Sequence, residues 1–248
     1  MAGVQQARVI QSEKWQEDVC HVLCRMIEPQ KLGFKGGQYI IVNSGKILPS
    51  GKLGKRAYSI LSSDSEQHYF ELAIKKIPPG VGSGFMHELK VSDVFEFSGP
   101  WGKYQAAEGN QEQRVLCIAT DTGITAALGL LRAQALKPFL GGSKLIWVVS
   151  SLDYFIPVPL VQSWLPQSLS FQWVFPVPVV GDESRMASIE EKTAQILGDQ
   201  IFTKIYLSGD GRVLRKFKDG FLMSGDYQED QIVVESFFHH ESLKSVAV

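Results

Sequence analysis

Cysteine is scarce. The chain has three, Cys20, Cys24 and Cys117, too few and too scattered for a disulfide framework and without iron–sulfur ligand spacing. Cys20 and Cys24 fall on one face of an expected strand over 18–27, where small buried hydrophobes are the simpler reading than metal ligands. His239 and His240 alone do not make a metal site either. No apolar run approaches the ~18–20 residues needed to span a bilayer, and Met1 to Gln16 lack the apolar core of a secretory signal. The expectation is a soluble, cytoplasmic protein. An excess of charge is missing too: 25 Lys plus Arg stand against 26 Asp plus Glu, a net charge of −1. No global field therefore draws the chain to nucleic acid or an anionic membrane, and a charged partner must be met by a local patch. Internal repeats and low-complexity segments are also lacking. What is present is the 44% hydrophobic content of a globular protein in 248 residues, enough for two domains.

Up to about residue 105 the chain consists of short β-like runs, 19–27, 38–42, 57–61, 69–77 and 94–98, separated by turn signals such as Gly36-Gly37 and Pro78-Pro79-Gly80. These predict a closed or nearly closed antiparallel β-barrel. The polar stretch over 105–113 marks a boundary, giving domains 1–105 and 106–248. Beyond it, strands over 114–120, 144–150, 171–175, 205–208 and 231–235 alternate with helices over 122–135, 188–197 and 212–223. That rhythm predicts an α/β domain with a largely parallel sheet. Ser188 and Glu191 have capping-box spacing at the start of the second helix, and Gly198 supplies its stop.

Three segments carry chemistry in the first domain. In Arg56-Ala57-Tyr58-Ser59-Ile60, strand alternation puts Arg56, Tyr58 and Ile60 on one side and Ala57 and Ser59 on the other. A guanidinium suits a phosphate diester, an aromatic ring can cover a flavin face, and a serine can hydrogen-bond a ring nitrogen. A surface arginine beside a half-buried tyrosine explains the same residues without a ligand. Gly80-Val81-Gly82-Ser83-Gly84 feeds a short helix over 85–89 and offers N–H groups to an anion such as a diphosphate, or serves as a loop capped by Ser83. Gly99-Pro100-Trp101-Gly102 reads as a tight turn closing the barrel.

Taken in order, these segments resemble the ferredoxin-NADP reductase superfamily over nearly the whole chain: barrel, R-x-Y-S, G-x-x-S, G-P-x-G, a nucleotide domain with a glycine turn, and a closing E-x-F-F at Glu235 to Phe238. The resemblance implies FAD, with flavin contacts from Arg56, Ala57, Tyr58 and Ser59 and a diphosphate turn at Gly80, Gly82 and Ser83. Tyr58 would pack on the flavin, Ser59 would face its reactive nitrogen, and Phe238 belongs to the ending that covers the other face. It further implies that NADH or NADPH is the hydride source, held by Thr120, Thr122, Gly123, Gly209 and Asp210. No side chain need act as acid or base, because the hydride chemistry belongs to the flavin.

The second half departs from the family pattern. In Ala119-Thr120-Asp121-Thr122-Gly123, Asp121 replaces a glycine and Ala126 replaces a proline. A carboxylate there can cap the following helix for about 1 kcal/mol. If it faces the dinucleotide instead, repulsion at about 4 Å costs roughly 1–4 kcal/mol. In Tyr206 to Gly211, Ser208 takes the place of the cysteine that approaches the nicotinamide, and Asp210 adds a second carboxylate. Ser150-Ser151 and Val179-Val180 sit where NADP-specific relatives place arginines, although Ser184-Arg185 lies nearby, and the reading leans to NADH. Arg212, Arg215, Lys216 and Lys218 cluster on one expected helix, either as a solvated face or as a dock for an acidic carrier.

The leading expectation is a flavin-dependent reductase passing electrons from NAD(P)H to a redox carrier protein: a ferredoxin, a flavodoxin or an oxygenase component. The alternative is an FAD-bearing electron-transfer or interaction subunit with impaired or no NAD(P)H binding. A protein binding neither ligand is the third option.

Overall fold

The computed structural model describes residues 3–78, 80–106, 114–198 and 200–238. Two units emerge: Met1–Ala106 with Leu128–Gln134, and Ala107–Ala127 with Ala135–Val248. In the first, β1 (Gln5–Gln16), β2 (Val19–Glu28), β3 (Tyr39–Ile47), β4 (Leu53–Ser59), β5 (Tyr69–Lys75) and β6 (Val94–Trp101) form a barrel-like antiparallel sheet. Its order is β4-β3-β6-β1-β2-β5. The inward residues of alternating strands, among them Val9, Cys24, Val42, Phe70, Leu72 and Phe97, fill its core. Helix α1 (Val81–Glu88) packs on β3, β4 and β5 and contributes Met86 and Phe85 to that core.

The second unit is an α/β layer structure. Strands β7 (Val115–Thr120), β8 (Lys144–Val148), β9 (Ser170–Val174), β10 (Lys204–Asp210) and β11 (Ile232–Phe238) form a parallel sheet in the order β11-β10-β7-β8-β9. Its helices are the first half of α2 (Ile124–Leu131), whose residues from Leu128 onward are counted with the first unit, α3 (Val158–Trp164), α4 (Arg185–Leu197) and α5 (Gly211–Ser224). β7 is buried at every position, as a central strand covered on both faces requires, and its sequence Val115-Leu116-Cys117-Ile118-Ala119-Thr120 is continuously apolar up to its end. The chain runs outward from β7 through β8 to β9, then returns to β10 on β7's other side. The sheet thus has its topological switch point between β7 and β10, where α/β sheets place ligands at the carboxyl ends of strands.

Several local expectations are corrected. β1 was not among the expected strands, because beyond Ala7 and Val9 it is mostly polar and exposed; its evidence is non-local, in pairing with both β2 and β6. Gly99-Pro100-Trp101 is not a closing turn but the end of β6. Gly99 has φ +147°, and a Cβ there would lie 3.2 Å from the Tyr39 carbonyl oxygen, so glycine permits the irregular pairing of β6 with β3. Helix α4 starts at Arg185 rather than Ser188, so Ser188 and Glu191 are interior residues; Gly198 does end it, with φ +58°. α3 lies in a proline-broken region that hid it, with Pro157 and Pro159 at its start, where proline is tolerated. All three cysteines are buried and free, and burial pushes the Cys20 thiol up to about 12.

Candidate functional site

In the first unit, β4 and the start of α1 bring Arg56, Tyr58 and Gly82 together. Tyr58 and Arg56 pair in register with Ile40 and Val42, which point into the core, so both side chains share the core-facing side at the barrel's end. Ala57 and Ser59 lie on the opposite side, Ala57 exposed and Ser59 buried. The helix crosses closely over Arg56 and Tyr58: a Cβ at Gly82 would stand 2.7 Å from Arg56 Cβ and 3.3 Å from the Tyr58 hydroxyl. Any larger residue would lift α1 off β4. Gly80 is the N-cap, with no side-chain cap on the helix. The Ser83 hydroxyl, expected as that cap or as a diphosphate contact, accepts from the Ile77 N–H at 3.1 Å and donates to the Gly80 carbonyl at 3.3 Å, stapling the preceding loop.

This corner is electrostatically incomplete. Arg56 is exposed and has no carboxylate partner among the described residues. The Tyr58 hydroxyl is buried without a hydrogen-bond partner among the described residues, and burial raises its pKa against the lowering influence of Arg56. A buried unpaired hydroxyl costs about 1–3 kcal/mol, which a bound group can recover. A free guanidinium, a glycine-lined helix start and an aromatic hydroxyl lacking a partner together fit a planar cofactor carrying a diphosphate.

In the second unit, the carboxyl ends of β7 and β10 are drawn together by glycine. Gly209 has φ +126°, and a Cβ there would fall 2.3 Å from Thr120 Oγ1; one at Gly123 would fall 2.3 Å from the Ser208 carbonyl oxygen. Across this contact the Asp210 N–H donates to Thr120 Oγ1 at 2.8 Å. Ser208 Oγ donates to the Gly123 carbonyl at 2.9 Å and is fully buried, so the hydroxyl expected near the nicotinamide holds the two turns together. Asp210, expected as an added carboxylate, accepts from the Arg212 N–H at 2.9 Å as the N-cap of α5. Thr122 is half-buried, its carbonyl accepting from Thr125 Oγ1 at 2.9 Å.

Asp121 neither caps the following helix nor turns outward. It sits at φ +53°, at the start of a single 3₁₀ turn, with its side chain 1% exposed and its Oδ2 2.5 Å from an amino nitrogen of Arg185, itself 4% exposed. Arg185 also donates to the Pro178 carbonyl, and Trp147 Nε1 donates to the Asp121 carbonyl at 2.9 Å. Burial pushes the Asp121 carboxyl up to about 6; Arg185 and Thr120 oppose the rise and Asp210 adds to it. Asp121 Oδ1 and Arg185 Nε have no partner among the described residues. The charge feared at a dinucleotide turn is therefore turned inward and balanced. Arg185, which lies near the positions where NADP-specific relatives place arginines, is the residue that balances it.

At the end of β11, Phe238 pairs in register with Asp210. Glu235 is half-buried, and burial raises its carboxyl pKa. His239 and the tail beyond lie outside the described residues. On α5, Lys216 pairs with Glu190 and Lys218 with Glu229, so half of the expected basic cluster is internally matched. Among the described residues no helix is long and apolar enough to cross a membrane.

Comparison with known proteins adds the following. Residues 6–106 match the oxidoreductase FAD-binding domain family. NADH-cytochrome b5 reductase 1 of Dictyostelium discoideum is 34% identical over 111 residues, 45% of this chain and 37% of that protein. Ferredoxin--NADP reductase B of Sorangium cellulosum is 33% identical over 116 residues, 47% of this chain and 45% of that protein. The matches thus span less than half the length of these relatives. Among solved structures, the flavohem-like FAD/NAD-binding domain of nitric oxide dioxygenase from Vibrio cholerae aligns over 96% of this chain and 99% of its own, with TM-score 0.72 and 18% identity.

Proposed function

Since this chain belongs to the ferredoxin-NADP reductase-like superfamily, we propose that it is a flavin-dependent reductase that takes electrons from a pyridine nucleotide and passes them to a redox carrier protein. The observation that carries this reading is the corner formed by Arg56, Tyr58 and Gly82, with a cation and a buried hydroxyl that have no partner among the described residues against a glycine-lined helix start. FAD bound there supplies the two-electron to one-electron chemistry. In this reading Arg56 neutralises the diphosphate, Gly82 keeps the first turn of α1 open to it, and Tyr58 orients the flavin through its ring and hydroxyl. Gly80 and Ser83 hold the loop that aims the helix, while Ala57 and Ser59 complete the β4 edge.

The pyridine nucleotide is assigned to the switch point between β7 and β10, where Thr120, Thr122, Gly123, Gly209 and Asp210 converge. The neutralisation of Asp121 by Arg185 removes a repulsion that would otherwise oppose its diphosphate. The same pair withholds Arg185 from a ribose phosphate, which favours NADH over NADPH. Anaerobic addition of NADH to the purified protein should bleach the visible flavin bands, more readily than NADPH does. Absence of bleaching with both nucleotides would refute the reductase reading. It would leave the second one, an electron-transfer subunit without its own nucleotide reaction, which the fully buried Ser208 favours because its hydroxyl is already bonded to Gly123.

A further inference from the structure

On the outer face of the barrel-like sheet, Arg8 of β1 stands directly opposite Arg25 of β2. Cβ atoms directly opposite on antiparallel strands lie about 4.5–5.5 Å apart, and like charges placed so destabilise the sheet. Surface sheets ordinarily relieve such a pair with a neighbouring acid. Here neither arginine has a carboxylate partner among the described residues. Acids on neighbouring strand positions are otherwise placed: Glu28 and Glu96 both stand opposite Gln6, Glu13 is opposite His21, and Glu66 accepts from the backbone N–H of His68 at 2.7 Å. Arg8 and Arg25 line a cavity of about 460 Å³ with Gln30 and His68, and its apolar residues are Ile10, Met26 and Ile27. Ile10 falls at a β-bulge, has no register partner and remains 37% exposed. No residue of β4 or α1 contributes to this cavity.

We propose that this cavity is a second binding site, for a soluble phosphate monoester with an apolar body. Its phosphate bridges Arg8 and Arg25, and its apolar part lies on Ile10 and Ile27. Paired guanidinium forks match the geometry of phosphate oxygens, and a bound dianion turns the repulsion between the arginines into a shared attraction. Gln30 and His68 add donors at the rim. The volume suits a ring-sized substituent rather than a bare ion.

Phenyl phosphate is the probe, titrated calorimetrically into the full-length purified chain, with phenol as the uncharged control. Saturable binding with Kd on the order of 1 mM or tighter is expected for phenyl phosphate and none for phenol. R8Q and R25Q should each weaken it about tenfold, and R8Q/R25Q should abolish it. Absorbance of bound flavin should be unaltered in these variants, which separates this site from the one at Arg56. In phosphate-free buffer R25Q should melt at or above the wild-type temperature, because the repulsion is relieved. Three results would overturn the proposal: no saturable binding to the wild type, binding retained by R8Q/R25Q, or an R25Q that melts well below wild type without ligand.

Discussion

Replacing Arg185 with methionine removes the only charge, among the described residues, that balances the buried Asp121 carboxylate while keeping an apolar stem of similar reach. The cost follows from proton linkage. An unpaired buried carboxylate can always escape by protonating, so its penalty cannot exceed 1.36 kcal/mol for each pH unit above its ordinary pKa of 3.8, about 6 kcal/mol at pH 8 and about 2 kcal/mol at pH 5. The wild-type carboxyl, raised to about 6, already costs about 3 kcal/mol at pH 8 and nearly the full 2 kcal/mol at pH 5. The charge-dependent loss in R185M is therefore up to about 3 kcal/mol at pH 8 and close to zero at pH 5, comparable with measured costs of breaking buried pairs. Loss of the Pro178 hydrogen bond adds a pH-independent term near 1 kcal/mol. At pH 8 the second unit should melt on the order of 10 °C lower than wild type. Differential scanning calorimetry at both pH values checks this, following the second unit's transition. A destabilisation equal at pH 5 and pH 8 would refute the reasoning, since it would mean that Asp121 is not an ionised partner of Arg185.

The same linkage gives a sign for the wild type. Because the folded pKa of Asp121 lies above its unfolded value, its contribution to stability is full below about pH 4 and is lost as pH rises through about 6; D121N should flatten that part of the profile in urea titrations. G209A should abolish nucleotide-dependent flavin reduction while leaving flavin content intact, because its Cβ would meet Thr120 Oγ1 at 2.3 Å from a backbone that side chains rarely adopt; retention of both would contradict the assigned turn. S208A leaves the buried Gly123 carbonyl without its hydroxyl donor and should lower the second unit's stability by about 1–3 kcal/mol in urea titrations.

Much of the architecture was legible in the sequence because its signals are local. The apolar run from Val115 to Thr120 reads as a central parallel strand without reference to its neighbours, and Gly80 to Gly84 signals a helix here, although α1 starts at Val81 and includes Gly82 and Gly84 rather than starting at the expected residue 85. β1 was not legible, since its place is set by partners in β2 and β6 rather than by its own polar sequence. Within the site, the conjunction of Arg56 and Tyr58 followed from alternation along one strand, but the close approach of Gly82 depends on how α1 crosses β4. Asp121 shows the same limit. Its replacement of a glycine was visible, but its direction is decided by a residue 64 positions away. One sequence signal pointed there: Arg185 is the sole arginine between Arg132 and Arg212, and a carboxylate at the end of a buried strand needs a cation.

The proposed function rests on FAD binding at Arg56, Tyr58 and the start of α1. Its most direct test is the FAD content per chain of purified wild type and of G82V, each measured after release by denaturation and alongside circular dichroism. One FAD per wild-type chain is expected. G82V should be folded, with affinity lower by roughly 100-fold or more, because a valine Cβ would stand 2.7 Å from Arg56 Cβ and displace the helix start. A colourless wild type, or a G82V that retains one FAD per chain, would contradict FAD binding at this corner.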